Sequence, residues 1–230
     1  MTDEERFMAD LNGYLVIKNV LDADELAEMN AVADRLHEGD DGVRRGKGRV
    51  CLWGEQFKAL VDHPKVTPYI EELLGPWFRL DHDYSIFMKD GAPGGGLHGG
   101  EDGGQPGGSE GDHWYKYRDG VMRNGLSVFT FFLTPAAAGD GGVACIPGSH
   151  KSNFLASIPR EVRSFERPSP YVVQPEVEAG DVLFFTEATT HSATNWTNPN
   201  HPRVAVLNSY NTVCTKWHDW DPDALLVEQM

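Results

Sequence analysis

The sequence predicts a mainly β domain with flanking helices, an α+β protein built on a jelly roll. Strand-length runs of β-branched and aromatic residues follow one another in the second half of the chain, at residues 127–133, 182–185 and 204–207. Turn sequences rich in Gly, Asn and Asp separate them, among them residues 179–181. Short strands punctuated in this way are typical of β-sandwiches and barrels of jelly-roll type.

The predicted helices lie towards the N-terminus, at about residues 20–76. Asp22 offers an N-cap before an acidic first turn. From Leu26 onward apolar residues recur at steps of three and four, which indicates an amphipathic helix ending near His37. A second, shorter helix is predicted at residues 67–74, where a Gly-Pro pair stops it.

Length and charge limit the classes of function. The chain has 230 residues and 40% hydrophobic content, which fits one domain over residues 1–230 with a well-buried core. Its 20 basic and 35 acidic residues give a formal net charge of −15. That balance argues against a nucleic-acid partner, since basic patches supply most of such affinity. No apolar run approaches a membrane span, so no membrane partner is expected either.

The cysteines and the N-terminus favour a cytoplasmic protein. Three cysteines, Cys51, Cys145 and Cys214, form no CxxC pair and are odd in number, which suggests reduced thiols. The first residues are acidic and lack the basic and apolar regions of a signal peptide.

Two histidines and one arginine carry the chemistry that the sequence suggests. His98 and His191 each end a strand-like segment at a loop, where a jelly roll presents side chains to its open mouth. Arg203 follows His191 on the next predicted strand. Two neutral imidazoles with a guanidinium nearby suit a mononuclear iron site that also holds a dicarboxylate. His98 lies in a glycine-rich segment, residues 91–112, which is a candidate lid over the site.

Several motifs in this order resemble the phytanoyl-CoA dioxygenase family. The resemblance covers roughly residues 7–213. Its motifs are an N-terminal Gly-Tyr-Leu-Val-Ile segment at 13–17, Gly-Gly-Val-Ala-Cys-Ile-Pro-Gly-Ser-His-Lys at 141–151, Ala-Gly-Asp-Val-Leu-Phe-Phe at 179–185, and the later His191, Asn195, Arg203 and Tyr210.

The resemblance implies a double-stranded β-helix and an oxygenase that depends on Fe(II) and 2-oxoglutarate. Such an enzyme uses O₂ to oxidise, here to hydroxylate, a C–H bond of a small molecule. By position, His98 and His191 match the iron-binding histidines. Arg203 matches the arginine that pairs with the distal carboxylate of 2-oxoglutarate, a task suited to a planar guanidinium fork.

The chain departs from the family at the third iron ligand. The usual motif is His-x-Asp, and here Gly100 stands two residues after His98. Glu101 is one candidate replacement, because preceding glycines can adopt positive φ and turn it towards the iron. Glu187 is another, but it needs a tight turn before His191, so a hydrogen bond to a ligand is the role that the sequence favours for it. Water or an anion is the third, and chloride there would resemble the halogenases of this superfamily.

Two classes of function therefore remain from sequence. One is an Fe(II)/2-oxoglutarate oxygenase, either a hydroxylase or a chloride-using halogenase. The other is a jelly-roll binding protein without catalysis, in keeping with Gly100. The negative net charge favours a neutral or cationic small-molecule substrate. Five aromatic residues are candidates for the pocket wall or for the core, with core packing favoured for the two phenylalanines: Trp114, Tyr115, Tyr117, Phe129 and Phe131.

Overall fold

A computed structural model describes residues 1–39, 43–45, 49–100 and 113–214. The expectation of one domain over the whole chain stays a prediction. None of the helices in the described ranges has the length and apolar composition that a bilayer span needs. Five α-helices occur in the described ranges: α1 (Asp3–Asn12), α2 (Ala23–Leu36), α3 (Glu55–Lys58), α4 (Thr67–Leu74) and α5 (Arg160–Arg163).

Ten strands in the same ranges form a large antiparallel sheet and two smaller pairs. The large sheet has the order β1-β8-β6-β10-β3-β2, and the pairs are β4-β5 and β7-β9. The strands are β1 (Tyr14–Ile17), β2 (Val43–Arg45), β3 (Phe78–Met88), β4 (Tyr115–Arg118), β5 (Val121–Asn124), β6 (Ser127–Phe132), β7 (Gly142–Cys145), β8 (Val182–Thr186), β9 (His191–Thr194) and β10 (Arg203–Thr212).

The β7-β9 pair is the centre of a second sheet that faces the large one. Isolated bridges extend it on both sides, from His98 to His191 and from Val173 to Cys145. Two antiparallel sheets of this kind, with sequence-distant strands as neighbours, make the double-stranded β-helix that the sequence predicts. The fold class is therefore confirmed.

Local sequence signals explain most of the elements. Asp22 caps α2 through the backbone N–H groups of Asp24 and Glu25, and Glu25 returns a bond to the Asp22 N–H, a reciprocal capping box. The sequence reasoning missed α1, although Thr2 and Glu5 form the same kind of box there. That helix is short and polar, so its apolar periodicity is weak.

The core has two layers divided by the large sheet. One layer packs α2 and α4 against the outer face of that sheet and includes the buried side chains of Phe129 and Phe131. The other lies between the two sheets and includes Phe132, Phe185 and Trp196. The alternation along β6 thus assigns neighbouring aromatics to opposite layers.

Three histidines outside the candidate site are buried. The sequence predicts that His37 and His63 are solvated or hydrogen-bonded locally. Solvation is wrong for both, since they are 3% and 7% exposed and His37 stacks on Phe87, whereas His63 does form a local hydrogen bond, because its Nδ1 accepts from the N–H of Lys65 at 3.3 Å. Their neighbours in sequence are polar, but tertiary packing covers them. His150 follows a tight turn, and the sequence predicts that it braces this loop; its Nε2 contacts the backbone carbonyl of Asp10 at 3.0 Å.

The buried imidazole of His150 should make stability depend on pH. Burial, with Lys151 adjacent, lowers its pKa to about 4, while Asp10 opposes the shift. Between pH 6.5 and pH 4 an unfolded histidine, with a pKa near 6.5, binds a proton, whereas the folded His150 stays neutral. The contribution of His150 to the free energy of unfolding is therefore fully present above pH 6.5 and is lost towards pH 4. The loss is about 3 kcal/mol from this group. In His150→Asn, urea unfolding curves should show a smaller drop between pH 7 and pH 4; an equal drop would contradict this origin.

Candidate functional site

His98 and His191 are joined through their backbones. The N–H of each residue donates to the carbonyl of the other, at 2.9 and 2.8 Å. This antiparallel bridge places the two imidazole centroids 4.6 Å apart, with the ring planes at 57°. Residues 93 positions apart in the chain are thus neighbours at the edge of the smaller sheet, as the sequence predicts.

Backbone carbonyls set the orientation of both rings. Nδ1 of His98 contacts the carbonyl of Gly96 at 3.0 Å, and Nδ1 of His191 contacts that of Thr189 at 2.7 Å. Because a carbonyl only accepts, the proton of each neutral ring lies on Nδ1 and the lone pair on Nε2. This is the arrangement by which proteins fix a metal-binding histidine.

The two residues after His98 pass very close to the opposite loop. A Cβ on Gly99 would lie 2.9 Å from the carbonyl oxygens of Glu187 and Thr189 and 3.0 Å from Nδ1 of His191, and φ here is +80°. Gly100 has φ +102°, and its N–H donates to the Glu187 carbonyl at 3.0 Å. The sequence alone predicts that Gly100→Asp would restore the usual motif. This expectation is wrong, because an aspartate with a φ of +102° would be strained.

Of the candidate third ligands, Glu101 lies outside the described residues, as does the rest of the glycine-rich segment at residues 101–112. Glu187 is described and lies at the histidines: its Oε2 is 3.7 Å from Nε2 of His191 and 3.9 Å from Nε2 of His113. No three His, Cys, Asp or Glu side chains in the described ranges form a preassembled metal-binding group. To hold a metal ion, the histidine pair thus needs a third ligand, which either moves towards the pair or comes from outside the described side chains.

Arg203 is a buried cation without an acidic partner in the described part of the chain. Its side chain is 1% exposed, and its Nε has no hydrogen-bond partner there. The guanidinium contacts the Sδ of Met88 at 3.4 Å and lies 5.8 Å from the Phe132 ring. Burial lowers the pKa of Arg203 to about 10. A buried charge with so few partners is costly, which indicates that an anionic ligand completes it.

Strand β7 connects the arginine to the histidines. At one end Cys145 pairs with His191, and at the other a Cβ on Gly142 would lie 3.3 Å from the Arg203 side chain. Three residues of a strand span about 10 Å. The same length results from an extended five-carbon dicarboxylate of about 5 Å together with one metal bond of about 2.1 Å and one hydrogen bond of about 2.8 Å. The spacing therefore fits a metal-bound dicarboxylate.

Apolar side chains lie beside both His191 and Arg203. The Phe185 ring lies 4.4 Å from that of His191, and Phe132 and Met88 border Arg203. The sequence reasoning did not select these residues. Of those it did select, Phe129 and Phe131 belong to the core beneath the helices.

The tyrosines selected as wall candidates point elsewhere, and this expectation is wrong. Tyr115 donates to Asp10 and packs edge-on against His150. Tyr117 is 66% exposed on the β4-β5 hairpin. Trp114 lies beside the Lys116 ammonium. His113, whose place in the sequence suits a pocket wall but requires no particular role, is the member of this segment that approaches Glu187, with Nε2 3.9 Å from Oε2.

The model of the phytanoyl-CoA dioxygenase (PhyH) family matches residues 9–205. The chain belongs to this family. A search of curated proteins found no significant match. Family membership places the chain among the Fe(II)/2-oxoglutarate-dependent oxygenases, as the motifs predict.

Solved structures of other proteins share the fold. HygX from Streptomyces hygroscopicus, with nickel and 2-oxoglutarate bound, is 22% identical with a TM-score of 0.82, over 95% of this chain and 90% of that one. The carbocyclase SnoK from nogalamycin biosynthesis is 18% identical with a TM-score of 0.71, over 99% and 90%. EctD from S. alaskensis, with 2-oxoglutarate and 5-hydroxyectoine, is 16% identical with a TM-score of 0.71, over 95% and 78%. At these identities the likeness establishes the jelly-roll fold of the family.

The close approach at Gly99 gives a test with a matched control. Gly99→Ala should destabilise the protein more than Gly91→Ala, because both glycines have φ near +80° but no described atom lies within 4 Å of a Cβ at Gly91. The backbone strain of about 1–2 kcal/mol is common to both, and crowding adds about 1–3 kcal/mol at Gly99 alone. Denaturant unfolding measures the difference; equal losses would contradict the tight packing of the histidine bridge.

Proposed function

We propose that this protein is an Fe(II)- and 2-oxoglutarate-dependent oxygenase that hydroxylates a C–H bond of a small molecule. The observation that carries the proposal is the pair of histidines with carbonyl-bound Nδ1 atoms and, at the other end of β7, a buried arginine that has no acidic partner among the described residues. Iron and 2-oxoglutarate supply the oxidising chemistry with O₂, and succinate and CO₂ are the co-products.

Each residue has a defined task in this proposal. His98 and His191 offer Nε2 to the iron, and the carbonyls on Nδ1 hold the rings in place. Arg203 takes the distal carboxylate of 2-oxoglutarate with its planar fork, which orients the co-substrate. Phe132, Phe185 and the surrounding core exclude water from the charged groups.

A small-molecule substrate agrees with the structural relatives. HygX has been crystallised with hygromycin B, and the epimerase SnoN with nogalamycin RO. These relatives include an epimerase and a carbocyclase, so we choose hydroxylation as the reaction that needs nothing beyond the residues named. Halogenation has no support beyond the missing side chain at Gly100, and chloride is not part of the proposal. The net charge of −15 favours a neutral or cationic substrate.

Spectroscopy separates an oxygenase from a non-catalytic binding protein. Anaerobic addition of Fe(II) and 2-oxoglutarate should give a weak visible metal-to-ligand charge-transfer band, and air should then yield succinate. His98→Ala and His191→Ala should lose the band and retain no iron, because each removes one ligand. His63→Gln, in the helical layer, is the matched control and should behave like the wild type. Absence of both band and succinate in the wild type would refute the proposal.

Substitutions of Arg203 should weaken 2-oxoglutarate binding without lowering the stability of the apoprotein. Arg203→Lys keeps the charge but loses the fork, so the KM for 2-oxoglutarate should rise at least about tenfold. Arg203→Met should bind 2-oxoglutarate still more weakly while leaving Fe(II) affinity unchanged. Because it removes a buried charge that lacks an acidic partner in the described ranges, its apoprotein should unfold at an equal or higher temperature, by about 2–4 °C per kcal/mol. A lower melting temperature in Arg203→Met would indicate a structural role instead.

A further inference from the structure

The carboxylate of Glu187 faces the same ring nitrogen that His191 would offer to a metal. Its Oε2 lies 3.7 Å from Nε2 of His191 and 3.9 Å from Nε2 of His113. The Glu187 side chain is 17% exposed and the His191 side chain 9%, so both are largely withdrawn from solvent. A carboxylate at a sheltered nitrogen of this kind points inward to the site rather than to a surface ion pair.

A turn makes this approach possible. Four extended residues between positions 187 and 191 would separate the side chains by about 13 Å. Instead, the N–H of Thr189 donates to the carbonyl of Thr186 at 2.8 Å, which folds the chain back just after β8. The hydroxyl of Thr189 donates to the Gly13 carbonyl at 3.0 Å, and the N–H of Thr190 to the Ser149 hydroxyl at 2.7 Å. These bonds anchor the turn to two other parts of the fold.

The backbone of Glu187 is held at both of its polar groups. Its N–H donates to the carbonyl of Leu126 at 2.9 Å, and its carbonyl accepts from the N–H of Gly100 at 3.0 Å. Position 100 therefore contributes a backbone hydrogen bond to the Glu187 segment, at the point where the usual motif contributes a carboxylate. The Gly100 backbone, which carries no side chain, thus helps to hold the residue whose carboxylate lies nearby.

The position of Glu187 differs from that of a residue that only orients a metal ligand. Such a residue bonds the ring nitrogen that points away from the metal. In His191 that nitrogen, Nδ1, already contacts the carbonyl of Thr189 at 2.7 Å. Glu187 faces Nε2 instead. With bonds of about 2.1 Å, one ion can bridge two donor atoms up to about 4.2 Å apart, so the observed separation of 3.7 Å is within reach.

We propose that Glu187 is the carboxylate ligand of the metal site, in place of the side chain that Gly100 lacks; Nε2 of His113 lies 3.9 Å from the same Oε2 atom. This inference rests on the proposed function, because it assumes that His98 and His191 hold a metal. The described side chains are not preassembled as a three-ligand group. Rotation about the flexible Glu187 side chain brings the carboxylate to the ion as it binds.

Metal affinity of the apoprotein tests the ligand directly, without turnover. Co(II) is titrated into wild type, Glu187→Ala and Glu187→Gln, and its visible absorption reports the ligand set. We expect both variants to bind Co(II) at least about tenfold more weakly, with a changed spectrum. Glu176→Gln removes an exposed carboxylate on the same half of the chain and should match the wild type. Equal apoprotein melting temperatures for the Glu187→Gln variant and the wild type would show that the fold is intact.

Chemical rescue distinguishes a ligand from a structural residue. Acetate or formate added to Glu187→Ala should restore part of the Co(II) affinity and shift the spectrum towards that of the wild type, because a free carboxylate can enter the space. The same anions should leave Glu187→Gln unchanged, since its amide still fills that space. Lack of rescue in Glu187→Ala would count against a ligand role.

The result that overturns the inference differs from the one that overturns the proposed function. If Glu187→Ala and Glu187→Gln bind Co(II) within about twofold of wild type while His98→Ala and His191→Ala lose it, Glu187 is not a ligand, and the oxygenase proposal stands. If the two histidine variants also keep wild-type Co(II) affinity, both proposals fail.

Discussion

The reciprocal backbone hydrogen bonds between His98 and His191 are the constraint on which the site depends. A sheet bridge fixes the register of the two segments, and register decides which side chains share a face. With this bridge in place, each Nδ1 finds a carbonyl of its own segment, from Gly96 or Thr189. The rings are thus oriented by backbone groups that no side-chain rotation can remove. A metal would find both imidazoles already arranged.

Arg203, in contrast to the two histidines, has incomplete polar interactions within the described part of the protein. Its guanidinium is buried beside Met88 and Phe132, and Nε has no hydrogen-bond partner in those ranges. A fold selected for stability alone would not keep a charge there, because desolvation is not compensated. Active sites commonly carry such a cost, since the ligand supplies the missing interaction. The arginine and the histidines therefore provide independent evidence for one site.

Much of the framework was predictable because its signals are local. The N-cap and periodicity of α2 and the apolar runs of β6 and β8 depend on neighbouring residues, and the structure confirms them. The histidine pair was predictable from its motifs. The burial of His37 was not, because it results from packing against Phe87, which is distant in sequence. The third-ligand question shows a further limit of motif reasoning. Glu187 has the strand parity of His191, but extended spacing made it a weak candidate, since four extended residues carry it away from His191. Only the hydrogen bonds of the turn after Thr186 reverse that conclusion.

A missing motif residue is therefore not equivalent to a missing ligand. In the usual arrangement the histidine and the carboxylate come from one segment, two residues apart and on the same side. Here Gly100 has a positive φ and uses its N–H to hold the backbone of Glu187. The carboxylate of Glu187 then approaches from the segment that carries His191. If a metal binds this carboxylate, the set of two histidines and one carboxylate is conserved, although the carboxylate comes from a different segment. Gly100 alone is then no argument for a halide ligand or for lost catalysis.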